Sequence, residues 1–145
     1  MKGQVSTELM VIIGVILVIF IPLLVTIYMK ADETQNEMAS YQAEVVVFRL
    51  AYLANSVGSL GTDTAVYTDI YIPKGTESLS IKNVGNGAEI QLKVNTPQGE
   101  KDFSEVIKYP VKDRTLIKQK YGWTRFKISN SLENNKAVIT IEKVG

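Results

Sequence analysis

The chain contains neither cysteine nor histidine. Without cysteine there is no disulfide, no thiolate metal site and no thiol nucleophile. Without histidine the commonest general base and the commonest metal ligand are gone, with every Ser-His or Cys-His pair. Carboxylates alone remain for chemistry, so no catalysis, cofactor or metal is expected. No glycine-rich loop fits a phosphate cradle, and the acidic residues do not follow calcium-loop spacing. There is no Asn-x-Ser/Thr sequon either; Asn55, Asn95 and Asn130 all miss the third position. The 16 basic residues nearly balance the 15 acidic ones, which gives no global reason to expect a nucleic-acid partner.

Charge is also missing from one whole segment: nothing between Glu8 and Lys30 carries any. Leu9 to Tyr28 reads LMVIIGVILVIFIPLLVTIY, about twenty residues, enough to cross roughly 30 Å of hydrocarbon as a helix. A secretory signal would have a shorter apolar stretch and a small-x-small site after it. Here Met29-Lys30-Ala31-Asp32-Glu33 follows, so cleavage beyond the run is not expected. The whole-chain composition, 46% apolar and 21% charged, suits one small domain with this rod as an appendage. A plain signal anchor, with Lys2 held on the cytoplasmic side, accounts for the run by itself.

The residues before the run add a second signal. Positions 2 to 8 read Lys-Gly-Gln-Val-Ser-Thr-Glu. Gly3, Gln4, Ser6 and Glu8, leading directly into an apolar helix, resemble the class III signal peptide of archaeal type IV pilin-like proteins. Bacterial type IV pilins usually place phenylalanine where this chain has Gln4. The resemblance implies cleavage by a prepilin peptidase between Gly3 and Gln4, on the cytoplasmic side, with the apolar helix retained. It implies as partners identical or related pilin subunits in a helical polymer, a pilus assembly platform with its ATPase, and the membrane before assembly. The precursor would lie in the cytoplasmic membrane with its N-terminus inside and its head outside. The mature chain would lie in a cell-surface filament serving attachment.

Glu8 needs a physical reason beside so apolar a helix. A carboxylate at the bilayer centre costs roughly 2.5–3.5 kcal/mol on insertion scales, and less at the interface. At the membrane surface it would favour the helix N-terminus by about 0.3–1 kcal/mol. Cleavage after Gly3 would instead create an ammonium on Gln4, one turn away. In a dry bundle a paired charge is tolerable and an unpaired one expensive. The resemblance thus implies that Glu8 of one subunit pairs with the amine of the next and fixes axial register. Gly14 would permit close helix approach, or is simply tolerated. Pro22 removes the backbone hydrogen bond to Val18 and is expected to bend the helix.

Beyond the run, the polar stretch KADETQNE (30–37) contains no Gly or Pro. Apolar residues return at Met38, Tyr41, Val45, Phe48 and Tyr52, and Val46, Leu50, Leu53 and Val57 widen the stripe. This spacing predicts an amphipathic helix whose Tyr/Val/Phe stripe faces a core, with Gly58 as its stop. A helix over 5–57 would be roughly 80 Å long at 1.5 Å per residue. After Gly61 the period becomes two. Strands are expected over 65–72, around Leu79 and Ile81, and over 88–94, 103–109, 115–120, 123–129 and 137–143. Turns are expected at Pro73-Lys74-Gly75, Asn86-Gly87, Pro97-Gln98-Gly99 and 130–135. The expected fold is α+β: a long N-terminal helix, apolar then amphipathic, packed on an antiparallel sheet or sandwich head as in type IV pilins. The segments are a leader (1–3), an apolar transmembrane or filament-core helix (4–29), its amphipathic continuation (30–58) and a β-rich head (62–145).

One charge feature stands out. Lys108, Lys112, Arg114, Lys118, Lys120, Arg125 and Lys127 face only Asp113 over 108–127, with Tyr109, Tyr121 and Trp123 among them. These are solvated strand faces, a contact for Asp32, Glu33, Glu37 and Glu44 of another subunit, or a polyanion surface.

Overall fold

The computed structural model describes the backbone from Lys2 to Gly145 and the side chains from Ser6 onward. A single helix, α1 (Lys2–Leu60), is followed by seven strands: β1 (Ala65–Ile72), β2 (Thr76–Val84), β3 (Gly87–Thr96), β4 (Gly99–Ile107), β5 (Arg114–Lys118), β6 (Gly122–Glu133) and β7 (Lys136–Val144). The architecture is α+β and every ladder is antiparallel. The chain divides into two compact units, one ending at Glu37 and one beginning at Met38.

In the first unit every residue of α1 from Ser6 to Gln35 is exposed. The large apolar side chains from Leu9 to Met29 remain 48 to 79% exposed. The helix is continuous through Pro22. Thr26 and Thr34 donate their hydroxyls to the carbonyls of Pro22 and Lys30, at 2.9 and 2.8 Å. By length and composition this helix can cross a membrane. A helix can do so because its backbone satisfies its own hydrogen bonds in lipid.

In the second unit the C-terminal part of α1 completes the core of the β body. Its buried face is Ala43, Val46, Val47, Leu50, Ala51, Ala54 and Val57. Three of these seven are alanines, interleaved with the larger Val and Leu side chains that fill the core. The Met38-Tyr41-Val45-Phe48-Tyr52 stripe, expected to face the core, is on the other side, each residue 57 to 65% exposed. At about 100° per residue the two sets lie roughly half a turn apart, so only one could be covered by the sheets.

The helix also ends later than expected. Gly61, at φ 100°, takes the left-handed position that follows a helix C-terminus. Gly58 is inside the helix, and a Cβ there would overlap the ring of Tyr109. Its role is close approach, not termination.

The strands form a three-stranded sheet, order β1-β6-β7, and a four-stranded sheet, order β4-β3-β2-β5. Both feed one core with Ile72, Leu79, Ile90, Leu92, Phe126, Ile128 and Ile139 fully buried. The alternation read from Ala88 to Val94 holds, with the apolar member of each pair buried. The chain leaves the first sheet at Pro73-Lys74-Gly75. Gly75 has φ 82°, and a Cβ on it would come 2.5 Å from the carbonyl oxygen of Asn95.

Two hairpins differ in detail from expectation. The β2–β3 turn is centred on Gly85-Asn86, because Val84 pairs with Gly87. Gly85 alone has positive φ there, at 62°, the signature of a type II′ turn rather than an Asn-Gly type I′ turn. The β6–β7 turn is Asn134-Asn135, with φ 50° and 63°, so β6 runs on through Asn130 to Glu133. Residues 130–133 read as turn because polar residues cluster there; pairing with β7 overrides that local preference.

Three asparagines tie these pieces together. The Asn130 amide donates to the carbonyls of Gly61 and Val57 at 3.0 and 3.4 Å, holding the helix end against β6. Asn55 accepts from the Lys108 N–H at 2.8 Å. Asn83 accepts from the Val111 N–H at 2.9 Å and donates to Asp113 at 2.9 Å, pinning the β4–β5 connection. That connection bridges to β7 through Val111 and Ile139.

Candidate functional site

Gly3 and Gln4 lie in the helical backbone of α1, and their surroundings fall outside the described residues. Ser6 and Glu8 are exposed. Glu8 sits with Thr7, Val11 and Ile12 in a shallow depression of the helix surface. Among the described residues no cation pairs with Glu8. A Cβ on Gly14 would meet nothing within 4 Å, so no contact inside the chain requires glycine there. Pro22 offers its carbonyl to Thr26 and is otherwise exposed.

The first unit therefore presents an apolar cylinder with one carboxylate near its start. Water solvates such a surface poorly; at about 25 cal/mol per Å² it is strongly driven into lipid or against other apolar helices. Just beyond it Lys30 and Glu33 form an i, i+3 ion pair at 2.7 Å. The hydrogen bond from Lys30 holds the Glu33 carboxyl below its ordinary range. Glu33, one of the acidic residues considered for an intersubunit contact, is thus already engaged.

The basic run of 108–127 is divided rather than brought together. Lys112 pairs with Glu133, and Arg114 with Glu142 at 3.0 Å. Arg125 faces Asp69 across the β1–β6 ladder and holds it through two hydrogen bonds of 2.7 and 2.9 Å. Those bonds keep the Asp69 carboxyl below its usual range. Lys127 lies over the Tyr67 ring at 6.0 Å. Lys120 sits beside Lys143, whose pKa is lowered by a hydrogen bond and by repulsion from that neighbour. Lys108 and Lys118 are exposed. This arrangement fits solvated strand faces with cross-strand pairing better than one continuous cationic track. Among the described residues no three acidic side chains gather closely enough to hold a metal ion.

The surface that sequence reasoning assigned to the wrong side is the exposed stripe on α1. Met38, Tyr41 and Val45 line one wall of a groove of about 400 Å³ whose other wall is Ile70, Tyr71 and Trp123. Trp123 is 73% exposed and meets Tyr71 edge-on, with ring centroids 5.6 Å apart. Further along, the Phe48 and Tyr52 rings stack at 6.3 Å. The signal that could have placed the stripe was the parallel series Ala43-Val47-Leu50-Ala54. That series carries no polar atom on its side chains, whereas two of the five stripe residues are tyrosines, whose hydroxyls favour a wet edge.

The chain matches no known protein family, no characterised protein and no solved structure.

Proposed function

We propose that the chain is a structural subunit of a type IV-like pilus, made as a precursor held in the cytoplasmic membrane by its apolar helix. A prepilin peptidase would cut before Gln4. The mature subunits would leave the bilayer through an assembly platform and its ATPase, bundle their apolar helices in a filament, and display the β heads outward for surface attachment. Ser6, Gly14 and Pro22 would lie in the helix-to-helix contacts.

The observation that carries this reading is the exposed apolar helix from Leu9 to Met29, entered through Gly3-Gln4-Val5-Ser6-Thr7-Glu8. A retained apolar cylinder has two stable environments, lipid and other apolar helices, and a polymer of such chains exchanges one for the other. Glu8 supplies the specific element. Unpaired among the described residues, it would gain a counter-charge in a filament from an amine such as the one that cleavage creates on a neighbour.

N-terminal mass spectrometry of the chain expressed with its native processing machinery tests the proposal. A mature chain beginning at Gln4, found in sheared surface filaments, is the expected result. An intact Met1, or a cut beyond Tyr28, overturns it. Correct processing without filaments would identify a monomeric, membrane-anchored surface protein.

A further inference from the structure

Both broad faces of α1 within the head are apolar, and the sheets cover only one. Five large side chains at about 60% exposure leave on the order of 500 Å² of apolar surface, at the upper end of what a solitary protein tolerates. Their spacing defines one seam along the helix. Met38, Tyr41, Val45, Phe48 and Tyr52 alternate steps of three and four, the 3.5-residue repeat of a coiled-coil seam. The sheet-covered face repeats in the same steps, at Ala43, Val47, Leu50, Ala54 and Val57, but counted back it meets Glu33; the exposed face differs in staying uncharged. Counted back along the sequence, the exposed series meets Thr34, Ala31, Ile27 and Leu24, and continues to Met10 without meeting a charged residue. All six charges between Lys30 and Arg49 fall off the seam.

We infer that this face is a helix-to-helix contact between two copies of the chain, parallel and in register, formed while both are held in the membrane. Three observations select that occupant over others. The exposed series stays uncharged from Tyr52 back through the apolar segment to Met10, and a second copy supplies a helix with the matching seam. The apolar segment places two copies in the same bilayer with the same polarity and the same sequence distance from it to Met38. The charges beside the seam are self-complementary. Glu44 precedes the Val45 knob and Arg49 follows the Phe48 knob, the flanking positions that face each other in a parallel pair. Both are exposed, and among the described residues neither is in ion-pair contact within its own chain; Arg49 feels only a longer-range attraction to Asp69, which Arg125 already holds. In the pair, Glu44 of each copy meets Arg49 of the other.

This pairing goes beyond the pilus reading. It draws from that reading only the placement of the apolar helix in a bilayer, and needs neither cleavage nor polymerisation.

The absence of cysteine makes the test direct. Val45→Cys and Tyr52→Cys are made singly in the full chain, reconstituted in lipid vesicles and oxidised, with Lys101→Cys on β4 as the off-seam control. Both seam positions are expected to give disulfide dimers at least about tenfold above the control at equal dilution in lipid. An antiparallel pair has one centre and could close one of them at most. Met38→Cys replaces Tyr52→Cys if the latter melts early by circular dichroism. In a second arm, Glu44→Arg and Arg49→Glu are each expected to lower the Val45→Cys dimer about five- to tenfold, and together to restore it. Closure at only one seam position or neither, or single reversals that change nothing, overturns the inference and leaves the stripe to lipid or to a different protein. Cleavage and filament yield, read on the same variants, keep the two proposals apart. Seam disulfides without filaments count against the pilus reading alone. Filaments without seam disulfides count against the pairing alone.

Discussion

Asn130→Ala probes how the end of α1 is fastened to the sheet. The side chain is 2% exposed, and its amide donates to the Gly61 carbonyl at 3.0 Å and the Val57 carbonyl at 3.4 Å. Truncation takes this donor from the buried Val57 carbonyl and the part-buried Gly61 carbonyl, which costs about 1–3 kcal/mol. A cavity of roughly 25 Å³ adds about 0.6 kcal/mol at 24 cal/mol per Å³. One effect opposes these. The Asn130 Oδ1 accepts no hydrogen bond, so its removal relieves an unsatisfied polar atom worth about 1 kcal/mol. The net expectation is a loss of about 0.6–2.6 kcal/mol. For a body of this size each kcal/mol lowers Tm by about 4–8 °C. Thermal unfolding of the full chain in mild detergent, followed by circular dichroism, measures it. Asn130→Asp sharpens the test, since it keeps the shape but presents an unpaired carboxylate to the same carbonyls. Burial raises that carboxyl's folded-state pKa, so this variant gains stability as pH falls through the raised value and the acid can donate again. A change below about 0.5 kcal/mol for Asn130→Ala, or an Asn130→Asp variant indifferent to pH, would refute the fastening argument.

Glu8→Gln is expected to leave cleavage before Gln4 intact and to lower filament yield; an unchanged yield, read by shearing and gel densitometry, counts against a charge pair in assembly. Gly58→Ala forces the Tyr109 ring aside and should cost about 1–3 kcal/mol. Pairing it with Tyr109→Ala should cost less than the two separate changes added together, and strict additivity would show that the ring is not what requires glycine. Asp69→Asn tests the cross-strand pair with Arg125. The depressed carboxyl contributes stability above the ordinary aspartate range and loses it as pH falls through the lowered folded-state pKa. The pair is exposed, so the Tm difference from the parent should be small at neutral pH and vanish in acid. A difference that widens as pH falls would contradict it.

Much of this architecture could be read residue by residue. The apolar run from Leu9 needs no partner to be recognised, because its length and lack of charge already decide that it cannot rest in water. The period-two alternation of Ala88 to Val94 declares a strand with one buried face, and β1 is legible to its last residue. Hairpin chemistry was less secure. Gly85-Asn86-Gly87 permits two adjacent turn registers, and which one closes depends on the pairing of Val84 with Gly87. Among candidate site residues, Gly3, Gln4 and Glu8 stand out by local order alone. The basic run between Lys108 and Lys127 did not survive folding as a unit, because Glu133, Glu142 and Asp69, distant in sequence, arrive beside Lys112, Arg114 and Arg125.

Local pattern therefore determined what each segment is: a membrane-length helix, a helix with apolar residues on more than one side, and a series of short strands. Tertiary packing determined which apolar face of α1 is used. Side-chain size ranks Tyr41, Phe48 and Tyr52 above Ala43, Ala51 and Ala54 as candidates for burial, but a core selects for shape that fills the space between helix and sheets. The three alanines went inside together with Val46, Val47, Leu50 and Val57, and the aromatic rings stayed out. The sum over both faces is fixed by composition, while the choice between them depends on the shape of what they meet, and that shape exists only after the strands have paired.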